Sequence, residues 1–379
     1  MKPTSEPELK RVPLEEVCLS ILASGFATSC REFLSQAPQP PTNDSIQAAL
    51  EVLLDVGAIE LIEDNTVERL TPLGHHLAKL PVDARLGKML IFGSLFKCID
   101  KALTIAAGLS SQSPFATFVR DANVAKAKQR AFADPNSDFL TLCNVWEAYS
   151  EAVATSASAG RKFCHANYLN PVALREIRDA RMQFFDLLCN VGFLDRGQFM
   201  NQNSRIYSDD LRRSVFNENS DKPELVHAVI CAGLYPNVAN IEQGVGARDY
   251  VMTHKNERLY FHSSSVNSSK KKFSAPSESW VVFHEKFGTV NRVSVSTTCF
   301  VHPFALLLLG GSVTVRHTER LVLIDDWIHI GMAAQVGVIM RELRKQIDSL
   351  LTRLIEDTGS KPVANQEGVI EGIVNLLLS

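Results

Sequence analysis

Apolar residues recur at helical spacing through most of the chain and alternate only in its third quarter. Residues 13–24 carry Leu14, Val17, Leu19, Ile21 and Leu22 in an amphipathic pattern, with Pro13 tolerated in the first turn. A second short helix is predicted over 29–37, stopping before Pro38, Pro40 and Pro41. A third starts at Asp44 as its expected cap, turns Ile46, Leu50, Leu53 and Leu54 inward and ends at Gly57. Two short strands follow, over 58–62 and 66–70, with Glu63-Asp64-Asn65 turning between them. From Pro81 to about Arg205 the pattern predicts helices over 83–97, 99–109, 121–133, 138–154 and 171–191. The last has the clearest ends: Asn170 as cap, Pro171 at the first position and Gly192 just beyond. The stretch Ala152–Gly160 is small and polar and reads as a mobile loop. One more helix, over 222–232, leads to strands predicted at 237–242, 249–254, 258–262, 280–286 and 290–297, with short ones near 313–317 and 320–324. Gly, Asn and Ser turns divide them, which suggests a small barrel or sandwich. Residues 333–356 and 366–378 are helical again, and Met340, Leu343, Ile347, Leu350, Leu351 and Leu354 form an apolar stripe opposite a charged face.

These elements divide the chain into four segments. Three helices and a two-stranded wing over 1–80 make a winged-helix module; 81–205 is a helical domain, 206–330 a β-rich domain and 331–379 a helical extension. The fold class is therefore mainly α with a β-barrel. At 379 residues, 45% apolar and 21% charged, ordinary globular cores are expected. A net charge of −3 argues against a polybasic nucleic-acid binder, but the charge is uneven. Residues 1–80 carry 6 basic and 12 acidic groups, whereas 81–205 carry 15 and 11. The helical domain is thus the better electrostatic candidate for meeting a polyanion. The eight cysteines are scattered without a C-x-x-C pair, the usage of reduced, buried thiols in an intracellular protein. Met1–Lys10 has no apolar h-region, so no signal peptide is expected. No apolar run approaches the ~20 residues of a membrane span, so no membrane partner is expected. Phe304–Leu309 is the strongest short run.

Candidate catalytic chemistry is sparse. The ten histidines include no H-E-x-x-H, and the adjacent His75 and His76 would point about 100° apart on a helix and could not share an ion. His284 and Glu285 fall on opposite faces of a predicted strand, which disfavours an acid–base pair. Gly244 and Gly246 lack the third glycine of a dinucleotide site, and no G-x-S-x-G elbow occurs. We expect no catalytic, cofactor-binding or metal-binding residues in this chain.

Several blocks, in order, resemble the C-terminal half of the DEAH/RHA-type ATP-dependent RNA helicases over nearly the whole chain. Pro13-Leu14-Glu15-Glu16 looks like the linker leaving the second motor domain. Leu70–Leu90 looks like the exit from the winged helix into the helicase-associated, or ratchet, domain. Phe163-Cys164, Asn167-Tyr168-Leu169, Leu174, Ile177, Arg181 and Gln183 are similar to that domain's long helix and its approach. Ala232–Ala239 resembles the lead-in to an OB fold. His262 with Ser264–Asn267, Trp280 with His284–Lys286, and Pro303–Gly311 resemble its strands and loops. Ile328–Leu354 and the closing GVIEGIVNLLL are most like the group associated with ribosomes and translation initiation. The chain departs from the family where Ser137-Asp138-Phe139-Leu140 stands for a common Ser-Asp-His-Leu, and His262-Ser263-Ser264-Ser265 for His-Pro-Ser-Ser.

The resemblance implies an order of winged helix, helical ratchet bundle, OB-fold barrel and C-terminal helices. It implies RNA, single-stranded or structured, as partner, with the small ribosomal subunit or a helicase activator protein meeting the OB fold, in the cytoplasm or the nucleus. It also implies an ATP-dependent activity, with ATP and Mg²⁺ bound by motor domains. No G-x-x-x-x-G-K-[ST] loop and no Asp-Glu-Ala-His motif occurs here, so this chain alone is expected to be inactive as an NTP hydrolase. Its role is expected to be that of an RNA-binding accessory region; the alternative is a stand-alone, non-enzymatic RNA- or ribosome-binding adaptor. An OB-type barrel holds single strands with cations, hydroxyls and stacking rings. The candidates are His262, Ser264, Ser265, Asn267, Lys270, Lys271 and Lys272 in one loop, and Lys286 and Arg292 on adjacent strands. In the long helix, Arg175, Arg178 and Arg181, spaced i, i+3, i+6, are expected along one broad RNA-facing side. Asp138 is expected to cap a helix.

Overall fold

The structure is a computed structural model. It describes residues 9, 13–62, 67–115, 122–199, 211–242, 250–252, 257–269, 280–289, 292–317, 319–356 and 364–378. The first module has α1 (Glu15–Ser24), α2 (Cys30–Ser35) and α3 (Asn43–Val56), then the wing β1 (Ile59–Ile62) and β2 (Val67–Leu70), paired antiparallel with Ile59 opposite Leu70. The cap of α3 is Thr42, whose side chain accepts from Ser45 N–H, and not Asp44, which lies in the first turn. Gly57 ends α3 at φ +78°, where a side chain would be strained. α4 (Pro72–Leu77) leads into the helical domain, and there a Cβ on Gly74 would sit 1.9 Å from the Ala58 carbonyl oxygen. Glycine is what lets α4 lie against the wing.

The helical domain contains α5 (Ala84–Leu95), α6 (Ile99–Ser110), α7 (Ala122–Arg130), α8 (Asp138–Thr155), α9 (Ala157–Ala166) and α10 (Pro171–Val191). The caps read from sequence hold for α10: Asn170 accepts from Val172 and Ala173 N–H, and Gly192 closes the helix in the left-handed region. The expected loop at 152–160 is instead the end of α8 and the start of α9, with Ser156 capping α9 through Ala159 N–H. Its small residues serve a close helix crossing, since a Cβ on Gly160 would meet Val153 Cγ2 at 2.6 Å.

After α11 (Pro223–Leu234) comes a closed five-stranded barrel of β3 (Val238–Glu242), β4 (Tyr250–Met252), β5 (Arg258–Phe261), β6 (Trp280–Thr289) and β7 (Arg292–Val301). Its order β3-β4-β5-β7-β6, with β5 and β7 parallel, is that of an OB fold. β6 alternates its allegiance as a strand must: Val281 and Phe283 fill the barrel, while Trp280 and Val282 join the large core shared with the helices. The apolar run Pro303–Leu309 is a helix, α12, and not a barrel strand. Runs this short do not discriminate helix from strand, but Pro303 at the first position and His302 as cap settle it. β8 (Val313–Arg316), β9 (Leu321–Ile324) and β10 (Ile328–Gly331) form a separate antiparallel sheet.

α13 (Ala334–Glu356) and α14 (Ala364–Leu377) complete the chain. α13 ties three segments together. His76 Nε2, on α4, lies 3.1 Å from the Leu351 carbonyl. Arg344 donates to the carbonyls of Gly310 (2.8 Å) and Gly311 at the end of α12. Lys88 on α5, buried beside Arg344, donates to the Val56 carbonyl at the end of α3 (2.8 Å). No helix among the described residues is long and apolar enough to cross a membrane.

Candidate nucleic-acid interface

The loop after β5 and the start of α8 meet in space. Ser137 caps α8 through Leu140 N–H, so Asp138 is not the cap. Its carboxylate crosses to the barrel and accepts from Val266 N–H (2.8 Å), Thr298 N–H (2.8 Å) and Thr298 Oγ1 (3.2 Å). Burial raises the pKa of this carboxyl, and the amides of Thr298 and Val266 oppose the rise. Ser265, 4% exposed, shares a 2.9 Å hydrogen bond with Thr298 Oγ1. Asn267, 1% exposed, donates through Nδ2 to Thr298 Oγ1 (2.9 Å) and the Asn136 carbonyl (3.3 Å). Ser265 and Asn267 therefore do not face solvent and cannot hold RNA as expected; they fasten the OB barrel to the ratchet domain. The two blocks Ser137–Leu140 and Ser264–Asn267 are two sides of one joint.

Arg181 is also corrected. It is 2% exposed, and its guanidinium holds the Asp100 carboxylate (2.5 Å), the Asp100 carbonyl (2.6 Å) and Thr104 Oγ1, and lies 5.0 Å from the Trp146 ring centre. Steps of three residues rotate about 60° backward on a helix, so Arg175, Arg178 and Arg181 do not share one line. Arg181 instead falls on the inward stripe with Leu174, Ile177, Phe184 and Leu188, all buried. That stripe was readable from the sequence. Arg175 and Arg178 are exposed, but Arg178 is engaged with Asp179 (2.9 Å) and Arg175 Nε donates to the Pro171 carbonyl (3.2 Å).

Three of the candidates, His262, Ser264 and Arg292, gather at the outer face of β5, β7 and β6. The register sets Tyr260, Ser294 and Phe287 abreast on three neighbouring strands. The Arg292 guanidinium lies 5.1 Å from the Tyr260 ring centre. The His262 ring meets Phe287 edge to face at 4.9 Å, and its Nδ1 lies 2.7 Å from Ser264 Oγ. Phe287 is 41% exposed, a large apolar ring left in water. Ser296 Oγ donates to Glu285 (3.2 Å) on the same face. Lys286 does not join this group. As the neighbour of Phe287 it points to the opposite side of β6, where it pairs with Glu257. Lys270, Lys271 and Lys272 lie outside the described residues. The sequence reading missed Tyr260, Phe287, Ser294 and Ser296. For Tyr260 the available signal was the phase of β5: it alternates with the barrel-filling Leu259 and Phe261, so it points outward, whereas Phe287 has the phase of the barrel-filling Val281 and Phe283 and carried no such signal.

Among the described residues, no group of three or more His, Cys, Asp or Glu could hold a metal ion. His76 is packed against Phe193 at 4.9 Å, and burial lowers its pKa.

Comparison with known proteins agrees with this architecture segment by segment. Residues 49–82 match the winged-helix part of the helicase-associated domain, and 83–142 its ratchet-like part. Residues 226–313 match the oligonucleotide/oligosaccharide-binding fold, and 320–379 the C-terminal domain in RNA helicases. DExH-box ATP-dependent RNA helicase DExH1 of Arabidopsis thaliana is 35% identical over 98% of this chain and 35% of its own length. ATP-dependent RNA helicase dhx29 of Xenopus laevis is 33% identical over 93% of this chain and 25% of its own. ATP-dependent DNA/RNA helicase DHX36 of Homo sapiens is 32% identical over 98% of this chain and 36% of its own. The chain thus spans about a quarter to a third of the length of these relatives. With its winged helix, ratchet bundle, OB barrel and C-terminal helices in the family's order, the chain belongs to the DEAH/RHA-type RNA helicases and corresponds to their C-terminal region.

Proposed function

We propose that this chain is the RNA-binding accessory region of an ATP-dependent RNA helicase, and that its RNA contact is the outer face of β5, β7 and β6. The observation that carries this reading is the outward row of half-buried Tyr260 and Ser294 and exposed Phe287, flanked by Arg292 and His262. Outward-facing rings beside a guanidinium and hydroxyls suit bases and riboses, which stack and accept hydrogen bonds. With no G-x-x-x-x-G-K-[ST] loop in the sequence, this reading assigns hydrolysis to motor domains and gives this region the task of gripping the strand they move. The reading is tested by fluorescence anisotropy of a labelled 12-nucleotide RNA with the full chain. Binding that weakens at least about fivefold in the Tyr260→Ala/Phe287→Ala double variant, with circular dichroism unchanged, supports it. Unchanged binding moves the RNA elsewhere on the molecule.

A further inference from the structure

We infer that α7 and α9 of the helical domain form a second, cationic surface that takes the phosphate backbones of double-stranded RNA. It is separate from the OB face and does not depend on it.

The first argument is charge. Lys126, Lys128 and Arg130 on α7 and Arg161 and Lys162 on α9 are all exposed, and none of them makes an ion pair among the described residues. Neither helix contains an acidic residue. Exposed arginines elsewhere are answered by acids, as Arg69 is by Glu60 (2.5 Å) and Arg196 by Asp186 (2.6 Å). The exposed side of α10 is mixed as well: Glu176 and Asp179 alternate with Arg175 and Arg178. Near α7, the Asp134 carboxylate is turned to Asn136 N–H (2.9 Å). Near α9, Glu151 lies across the turn on α8, one acid against a clear excess of positive charge.

The second argument is placement. The Phe132 ring, just past the end of α7, meets Phe163 of α9 edge to face at 5.9 Å. Gln129 Nε2 donates to the Tyr168 carbonyl just past α9 (3.3 Å). These contacts tie the two helices together. On α7, buried Ala125 and half-buried Gln129 face the domain, and Lys126 and Arg130, one turn apart, flank that stripe. On α9, buried Gly160 and Cys164 set the inner side, which leaves Arg161 and Lys162 in water. Exposed Ala127, Ala157, Ser158 and Ala166 are small, so a polymer backbone can come close to the cations.

The third argument is what the surface lacks. Unpaired strands are held largely by stacking on rings, and Phe163, the ring on these helices, is half-buried against Phe132. Protein partners anchor on large buried side chains, and Val124 is the only large apolar side chain left exposed on the described residues of α7 and α9. A duplex carries one charge per ~1.7 Å of axis, twice the density of a single strand. It is recognised by phosphates and riboses with little reading of bases. Cations on a rigid helical surface without rings or apolar anchors suit that partner.

The test uses the full chain and a fluorescein-labelled, blunt RNA duplex of about 20 base pairs, read by anisotropy across a salt series. Lys126→Gln/Arg130→Gln and Arg161→Gln/Lys162→Gln should each weaken the duplex at least about tenfold. Each should also flatten the salt slope by about 1.8, the value for two phosphate contacts at ~0.9 each. Circular dichroism should not change. A 12-nucleotide single strand should lose less than about threefold in either variant, and Tyr260→Ala/Phe287→Ala should hold the duplex within about twofold. No duplex binding, or duplex affinity and slope unchanged in both variants, overturns the inference. Equal losses for strand and duplex also overturn it, making the surface a general RNA contact. So does displacement of the duplex by poly-glutamate at equal charge, which would make the surface a site for acidic protein. Failure of the OB reading shows separately, as strand affinity that Tyr260→Ala/Phe287→Ala leaves unchanged.

Discussion

Asp138 offers the sharpest test of how the OB barrel is held. Its carboxylate serves two amides at 2.8 Å and one hydroxyl at 3.2 Å, all reaching across from the barrel to the first residue of α8. Asp138→Ala leaves the Val266 and Thr298 amides without an acceptor. A buried donor left unpaired costs ~1–3 kcal/mol, so the two together cost roughly 2–6. Part is returned, because the carboxylate itself is buried at a cost, as its raised pKa shows. The expected net loss is about 3 kcal/mol for alanine. Asparagine keeps one acceptor oxygen but turns an NH₂ group toward a second donor, and about 2 kcal/mol is expected. The change is confined to one joint, so the readout should be local. Hydrogen exchange of the Val266 and Thr298 amides should accelerate about a hundredfold in Asp138→Ala, as 3 kcal/mol requires at 1.4 kcal/mol per decade. The α10 amides should not change. If the Thr298 amide exchanges within threefold of its original rate, the joint is held by something else and the reasoning fails.

Two further predictions concern buried charge. Arg181→Met should cost about 3 kcal/mol or more by urea denaturation, because it strands the Asp100 carboxylate, for which the more distant Arg212 (3.8 Å) compensates poorly; a variant that stays stable but loses RNA affinity would restore Arg181 as a contact. Burial pushes the Lys88 amine down to about 8, with Arg344 adding to the shift. Below pH 8 both folded and unfolded chains carry this proton, and the burial penalty is present in full. Between about 8 and 10.5 the unfolded chain binds more protons, so stability should rise with pH, by up to ~3 kcal/mol. Comparing urea midpoints at pH 7.5 and 9.5 with those of Lys88→Met, which should lack the rise, checks this; parallel pH dependences would show that Lys88 does not titrate there.

What the sequence disclosed, and what it withheld, follows physical lines. Elements with strong local punctuation were legible: α10 carries Asn170, Pro171 and Gly192 at its ends, and its boundaries follow from them. Where tertiary packing outweighs composition, the reading failed. Ala152–Gly160 is as small and polar as a loop, but the smallness lets α8 and α9 touch. Pro303–Leu309 is apolar throughout because Ala305–Leu309 of α12 are all buried, and such a run carries no period. The site divides the same way. Helical spacing nominated Arg181, and loop position nominated Ser265 and Asn267, yet each answers a buried partner. Tyr260 and Phe287 went unnoticed because rings are usually core; strand phase turns Tyr260 out, but Phe287 has the phase of barrel-filling Val281 and Phe283, and its pairing with Ser294 is what sets it beside Tyr260.

The joint and the rings are close enough to be coupled, and the coupling should be selective. The loop from His262 to Asn267 is pinned at one end by His262 N–H to the Val295 carbonyl (2.9 Å), and at the other by Val266 N–H to Asp138 (2.8 Å). Loosening the Asp138 end frees His262 to leave the Phe287 ring it meets at 4.9 Å. Tyr260 lies inside β5, opposite Ser294 and beneath Arg292, and has no part in that loop. A double-mutant cycle of Asp138→Asn with His262→Ala, read by single-strand RNA affinity, should therefore show a coupling of at least about 0.5 kcal/mol. The cycle of Asp138→Asn with Tyr260→Ala should add within about 0.3 kcal/mol. Equal coupling in both cycles would mean that Asp138 acts by loosening the whole barrel. No coupling in either would mean that the rings keep their places without the joint. Only the selective result fits a carboxylate on the ratchet domain that sets the posture of one edge of the OB face and leaves the other edge alone.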